Sequence, residues 1–209
     1  MKYTGLKMLT PESLSRSLRV LSDRDSDLAQ ILKELGPPPM WSREPGFPTL
    51  VHIILEQQVS LASAKAAYDR LLVAVSPLTP EGFLGLDDAT LKAVGFSRQK
   101  ISYARGLAGS IVAGRLDLAS LSVMDDESVR RELLKVKGVG NWTVDIYLLM
   151  ALRRPDVWPS GDLALAVAVQ NVKRLSSRPT QDELAIIGAE WTPWRSVAAR
   201  ILWHYYLNA

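Results

Sequence analysis

The sequence predicts an all-α fold. Apolar residues recur at the 3.6-residue helical period along most of the chain, β-branched residues fall inside those stripes rather than alternating, and the breaks between stripes carry glycine, proline or a capping Ser or Asp.

The elements follow in order. Leu28, Ile31, Leu32 and Leu35 form one stripe, closed by Gly36 and the Pro37-Pro38-Pro39 breaker. A second helix starts near Pro48-Thr49 and carries Leu50, Ile53 and Ile54; Ser60 caps a third with Leu61, Ala64, Tyr68, Leu71 and Leu72, ended by Pro77 and Pro80. Residues 80–94 read as two short helices parted by Asp87-Asp88. Ser97 caps a longer one through Ile101, Ala104, Leu107, Ala108 and Ile111, which Gly114 stops. Asp125 or Asp126 starts a helix with Val129, Leu133, Leu134 and Val136, and the short turn Lys137-Gly138-Val139-Gly140 leads into a helix over 141–152. After the loop 153–161, helices are expected over 162–175, 181–190 and 193–207. No fixed-period repeat or low-complexity tract interrupts this pattern.

Composition narrows the chemistry. The 209 residues are 47% hydrophobic and 22% charged, an ordinary globular balance. There is no cysteine, which excludes disulfides, thiolate zinc sites, iron–sulfur clusters and cysteine nucleophiles. His52 and His204 are the only histidines and neither sits in a Ser/Asp framework, so carboxylates must carry any acid–base work, and neither a cofactor nor a side-chain metal site is expected. No uninterrupted apolar run approaches the ~18 residues of a membrane span. The opening Met1-Lys2-Tyr3-Thr4-Gly5 lacks a secretory signal, which predicts a cytoplasmic protein, nucleoid-associated if bacterial. A net charge of +3 suits a polyanionic partner without specifying one.

Two glycines one residue apart in Val136-Lys137-Gly138-Val139-Gly140-Asn141-Trp142-Thr143 permit a tight turn and close approach to another surface. The turn leaves the first N–H groups of the next helix without intrahelical partners, a positive end suited to a phosphate oxygen. A plain αα-turn has the same local signature.

The order and spacing of four stretches decide between these readings: Ile53-Ile54-Leu55-Glu56-Gln57-Gln58-Val59-Ser60, the hairpin through Trp142-Thr143, Asp156-Val157-Trp158-Pro159-Ser160-Gly161-Asp162, and Trp191-Thr192-Pro193-Trp194-Arg195-Ser196 with Ala198. Together they resemble the helix-hairpin-helix DNA glycosylases, and within them the 3-methyladenine DNA glycosylase II branch, over most of the chain from Gly36 onward. The resemblance implies two helical lobes with an active-site cleft between them: 47–157, ending in the hairpin at 137–140, and 1–46 plus 158–209, carrying the catalytic aspartate. It implies a double-stranded DNA partner containing alkylated bases, with no membrane and no obligate protein partner. The family's catalytic carboxylate maps onto Asp162, which also reads as an N-cap whose helix dipole favours the ionised form. Bifunctional relatives carry a lysine two residues after the second hairpin glycine, where this chain has Trp142, so base excision without strand cleavage is expected.

Cationic, electron-poor bases stack on electron-rich rings. Trp142 and Trp203 match aromatic pocket positions, although core packing explains any one of six tryptophans equally. A further pocket tyrosine is expected four residues after Trp142, where Ile146 stands, with Tyr147 next to it. Gln58, with Gln57 beside it, matches the residue that fills the gap left by a flipped nucleotide; a glutamine closing a helix would look the same. The hairpin residues Lys137, Gly138, Val139, Gly140 and Thr143 are expected on the DNA backbone, with Lys135, Arg98 and Lys100 as further phosphate candidates and Arg130 and Arg131 on a solvated face. Asp145 reads as a structural partner, and Arg195 as either a cleft residue or half of a salt bridge. A non-catalytic DNA-binding hairpin module and an all-α protein scaffold are the alternatives; neither requires an aspartate beside aromatic residues.

Overall fold

Side-chain caps set most of the helix starts. In the computed structural model, which describes residues 8–209, Thr10, Asp25, Ser60, Thr79, Asp87, Ser97, Asp125, Asp162 and Thr180 each accept a backbone N–H of the helix they begin. The reading of Met1–Gly5 lies outside the described residues. The helices are α1 (Pro11–Arg24), α2 (Ser26–Leu35), α3 (Phe47–Glu56), α4 (Leu61–Ala74), α5 (Pro80–Gly85), α6 (Asp88–Val94), α7 (Arg98–Val112), α8 (Asp126–Leu134), α9 (Asn141–Ile146), α10 (Leu163–Val172), α11 (Gln181–Ala189) and α12 (Arg195–Asn208). No strand occurs among the described residues.

Three elements differ from the sequence reading. That reading holds no helix before Leu28, yet α1 is there with a Thr10/Ser13 capping box, Pro11 at its first turn and a buried Leu14-Leu18-Leu21 face. The helix expected over 141–152 is α only to Ile146 and then widens into a π turn, Tyr147–Ala151. Helix α10 ends at Val172, three residues short, and the chain then passes through Arg174 at φ +54.

The chain divides into two compact units. One comprises Arg43–Tyr147 and the other the segment up to Ser42 together with Leu148–Ala209. These bounds move residues 43–46 into the unit of the hairpin and residues 148–157 into the terminal unit, where Arg153 accepts a bond from Leu9 N (2.7 Å) and Leu149 accepts one from Arg200 (2.8 Å).

In the Arg43–Tyr147 unit α3 is the central helix, with Leu50, Val51, Ile53, Ile54 and Leu55 all buried. A helix apolar on every side must be surrounded, and α4, α7 and α9 pack on it. In the other unit α12 has that role, with Val197, Ala198, Ala199, Ile201 and Leu202 buried and α1, α2 and α10 around it. Arg200 of α12 is also fully buried. Its guanidinium donates to the carbonyls of Met40 (Nε, 2.8 Å), Ser196 (Nη1, 2.9 Å) and Leu149 in the π turn (Nη2, 2.8 Å). Burial pushes Arg200 down to about 10, so it stays protonated at neutral pH, and its bonds tie the Met40 carbonyl and the π turn to α12.

Candidate active site and hairpin

The hairpin joins α8 to α9. Val136 and Val139 are buried, and Val139 N–H donates to Val136 O at 3.0 Å, closing the turn. The two glycines differ. Gly138 lies at φ +91, and a Cβ there would fall 2.0 Å from Cγ of Tyr103 on α7, whose ring covers it. Gly140 has extended backbone (φ −100, ψ 179) as the N-cap of α9, and a Cβ there would meet nothing within 4 Å. Lys137 and Gly140 are exposed. Thr143, expected on the DNA backbone, is instead 1% exposed, its hydroxyl accepting from Gln57.

Of the paired glutamines at the end of α3, Gln58 is exposed and held at φ +57, a left-handed conformation disfavoured for residues with a Cβ. Gln57 turns inward, its Nε2 donating to Gly138 O and Thr143 Oγ1, both at 3.0 Å. Lys100 is likewise engaged, donating to Leu55 O at 2.7 Å, and burial holds its ammonium below the usual lysine range. Lys135 pairs with Glu132 at 2.8 Å, whereas Arg98 and Lys137 are exposed. Arg130, expected on a solvated face, is half-buried because it pairs with the buried Asp145 of α9; Arg131 is exposed. Trp142, in the first turn of α9, is half-buried. Tyr147 is fully buried and its hydroxyl accepts Gly46 N–H at 3.1 Å, so it lies in the interior rather than on an accessible surface.

Asp162 belongs to the other unit. Its Oδ1 accepts Leu165 N–H at 2.8 Å as the cap of α10 and Trp203 Nε1–H of α12 at 3.0 Å. A local bond and one spanning 41 residues thus converge on one oxygen and fix the carboxylate's orientation. The preceding loop is bound along its length. Ser196 Oγ accepts from Val157 N at 2.9 Å and donates to Val157 O at 3.1 Å. Arg195 forms a two-pronged ion pair with Asp156 (Nε–Oδ1 2.8 Å, Nη2–Oδ2 3.0 Å). Trp158 Nε1 donates to Leu184 O at 2.8 Å while its ring lies over Gly188, where a Cβ would come within 2.4 Å. Trp191 packs against Trp158 and donates to Asp25, which Lys173 also holds. Burial alone would raise the Asp25 carboxyl, but bonds from Lys173, Trp191 and Leu28 N–H outweigh it and hold it below the usual range.

The third and fourth sequence stretches are therefore each other's contacts: the tryptophan-rich segment before α12 anchors the loop that presents Asp162. Periodicity gave no sign of Tyr103, which falls off the Ile101-Ala104-Leu107-Ala108 stripe, or of Arg200, a charged residue in an apolar helix face. Among the described residues no group of three or more His, Asp or Glu is placed to hold a metal ion. None of their helices is long and apolar enough to cross a membrane.

Residues 51–193 match the HhH-GPD superfamily of base excision DNA repair proteins. The DNA-3-methyladenine glycosylase 1 of Schizosaccharomyces pombe is 26% identical over 91% of this chain and 87% of its own length. A Bacillus subtilis protein named among the DNA-3-methyladenine glycosylases, YfjP, is 28% identical over 85% of this chain, which spans only 65% of that relative's length. The structure of the Schizosaccharomyces pombe 3-methyladenine DNA glycosylase Mag1 in complex with abasic DNA superposes with a TM-score of 0.85, at 27% identity, over 90% of this chain and 95% of that one. With the match spanning the paired glutamines, the hairpin and Asp162 alike, the chain belongs to the HhH-GPD superfamily of base excision DNA repair proteins.

Proposed function

We propose that the protein is a monofunctional DNA glycosylase that binds duplex DNA and excises alkylated bases such as 3-methyladenine, with Asp162 as its one catalytic carboxylate. The observation that carries this reading is the carboxylate itself, aimed by Leu165 N–H and Trp203 Nε1–H at the end of a loop bound to α11 and α12. The names of the relatives support the substrate class.

Excision breaks the bond between sugar C1′ and the base nitrogen. The electron pair leaves with the base, and positive charge develops on the sugar. A fixed anion stabilises that charge, then orients a water onto C1′ and takes its proton. An alkylated base is already cationic and departs neutral, so no strong general acid is needed. Trp203 is 8% exposed, so what it offers such a base is the accessible edge of its electron-rich indole beside Asp162. Lys137 and the exposed backbone at Gly140 hold phosphate, and Gln58 fills the vacated stack. Trp142 occupies the position at which lyase members carry lysine, so the product is an abasic site in an unbroken strand. Such a reaction fits a cytoplasmic protein with access to chromosomal DNA.

The test is chromatographic identification of bases released from methylated duplex DNA by wild type and by Asp162→Asn. Asparagine retains the cap, so duplex affinity should persist while release falls by at least about a hundredfold. Product strands should break only after alkali. An active Asp162→Asn protein removes the mechanism, and strand breaks without alkali remove the monofunctional assignment.

A further inference from the structure

We infer that Gln57 is a positioning residue that holds the wedge turn in register with the hairpin, so that gap filling by Gln58 depends on the side chain of its neighbour. The inference rests on the assignment of Gln58 as the wedge in the reading above.

An amide nitrogen carries two hydrogens, and Gln57 Nε2 has two acceptors, Gly138 O and Thr143 Oγ1, each at 3.0 Å. Gln57 cannot enter a DNA stack without leaving both acceptors unmet, one of them on a residue that is 1% exposed. The two glutamines therefore have different functions, although they are adjacent and chemically identical.

Support for the two ends of this link is unequal. The hairpin has its own anchors: buried Val136 and Val139, the Val139 N–H bond to Val136 O, and the Tyr103 ring across Gly138. The wedge turn has few. Gln57 N–H reaches Ile54 O only at 3.4 Å, Gln58 is exposed in a left-handed conformation, and Val59 and Ser60 after it are exposed as well. Lys100 caps Leu55 O before the bend and Ser60 caps α4 after it, so between these two points the Gln57 side chain is what ties the turn to the hairpin. Removing the Gln57 amide should leave the phosphate grip in place and release the wedge. Phosphate contacts hold any duplex, whereas gap filling acts only where a base is missing or extruded, so the two are separable by experiment.

The experiment measures, by fluorescence anisotropy, the affinity of the full chain for two duplexes of one sequence, one undamaged and one carrying a tetrahydrofuran abasic-site analogue. Wild type should prefer the abasic duplex. Gln57→Met should bind undamaged duplex within about threefold of wild type but lose about fivefold or more of that preference, the size expected for a lost buried hydrogen-bond pair. Gln57→Glu should lose it near pH 7.5, where an ionised carboxylate has no hydrogen to donate, and regain part of it, relative to wild type at the same pH, as the pH is lowered to about 4.3, where about half of ordinary glutamyl carboxyls are protonated and one donor returns. A purely structural role would show no such rescue. Full preference in both Gln57 variants, with preference lost in Gln58→Ala, would overturn the coupling and leave the wedge standing. Full preference in Gln58→Ala would overturn the wedge assignment and the coupling with it. Parallel loss on both duplexes in Gln57→Met would place the residue in hairpin support alone and also overturn the inference.

Discussion

The hairpin and the Asp162 loop present functional groups by opposite means. The hairpin turn is closed locally, by a bond between Val136 and Val139 and by the φ +91 of Gly138, although Tyr103 of α7 covers that glycine and Gln57 reaches its carbonyl from 81 residues away. The Asp162 loop has little regular structure of its own and is positioned by groups far along the chain, Trp203 at 41 residues and Ser196 at 39. A turn closed mostly by local geometry fails on a single substitution. A loop held by several remote bonds should lose its geometry in small steps.

The largest effect should come from Gly138→Ala. A Cβ there meets the root of the Tyr103 ring rather than a flexible end, and φ +91 is strained for any L side chain, so the loss should be on the order of 2–4 kcal/mol, read from the denaturant midpoint. Gly140→Ala is the control: with nothing within 4 Å and an extended φ, stability should stay within about 0.5 kcal/mol. Duplex affinity should nevertheless fall for every sequence alike if DNA lies against Gly140. Equal stability losses in the two variants would erase the distinction between a glycine required by the fold and one required by a ligand.

This contrast also explains what the sequence disclosed. The hairpin was legible because its determinants are adjacent, and most helices were legible because caps and stripes are local. Helix α1 carries the same local signals, Thr10, Pro11 and the Leu14-Leu18-Leu21 face, so it too is legible in the sequence. Tyr147 was misplaced. The helix is regular up to Tyr147, which lies about 100° around from Ile146, and that direction leads into the interior, where its hydroxyl meets Gly46 N–H. The capping role of Asp162 was legible in the sequence, but the bond from Trp203 and the anchoring of its loop by Trp158, Arg195 and Ser196 depend on pairs with no periodic relation. Arg130 obeyed the same rule: its partner Asp145 lies beyond the hairpin, and a count of helix faces cannot see it.

A smaller effect is expected for Trp203→Phe, which removes the donor to Asp162 Oδ1 and leaves the Leu165 N–H bond. A hydrogen bond to a charged group contributes about 1.5–3 kcal/mol, so the single-turnover excision rate should fall roughly ten- to a hundredfold while affinity for undamaged duplex is retained. An unchanged rate would show that the cap alone orients the carboxylate, making the loop as locally determined as the hairpin.

The smallest effect is expected at Arg195, whose place in the family motif suggested a cleft residue. Its guanidinium is committed to Asp156 through both carboxylate oxygens and the backbone carbonyl. The two side chains are 35% and 27% exposed, so solvent screens the pair. Arg195→Met should therefore lower stability by less than about 1 kcal/mol, measured by thermal melting, and excision by about threefold or less, because Ser196 and Trp158 still hold the loop. Arg195→Lys should behave similarly in stability, since a single ammonium restores the charge but not the two-pronged geometry. A tenfold or larger loss of excision in both variants, with melting unchanged, would instead mean that Arg195 leaves Asp156 to contact DNA, and the loop would then have a ligand-dependent support the hairpin lacks.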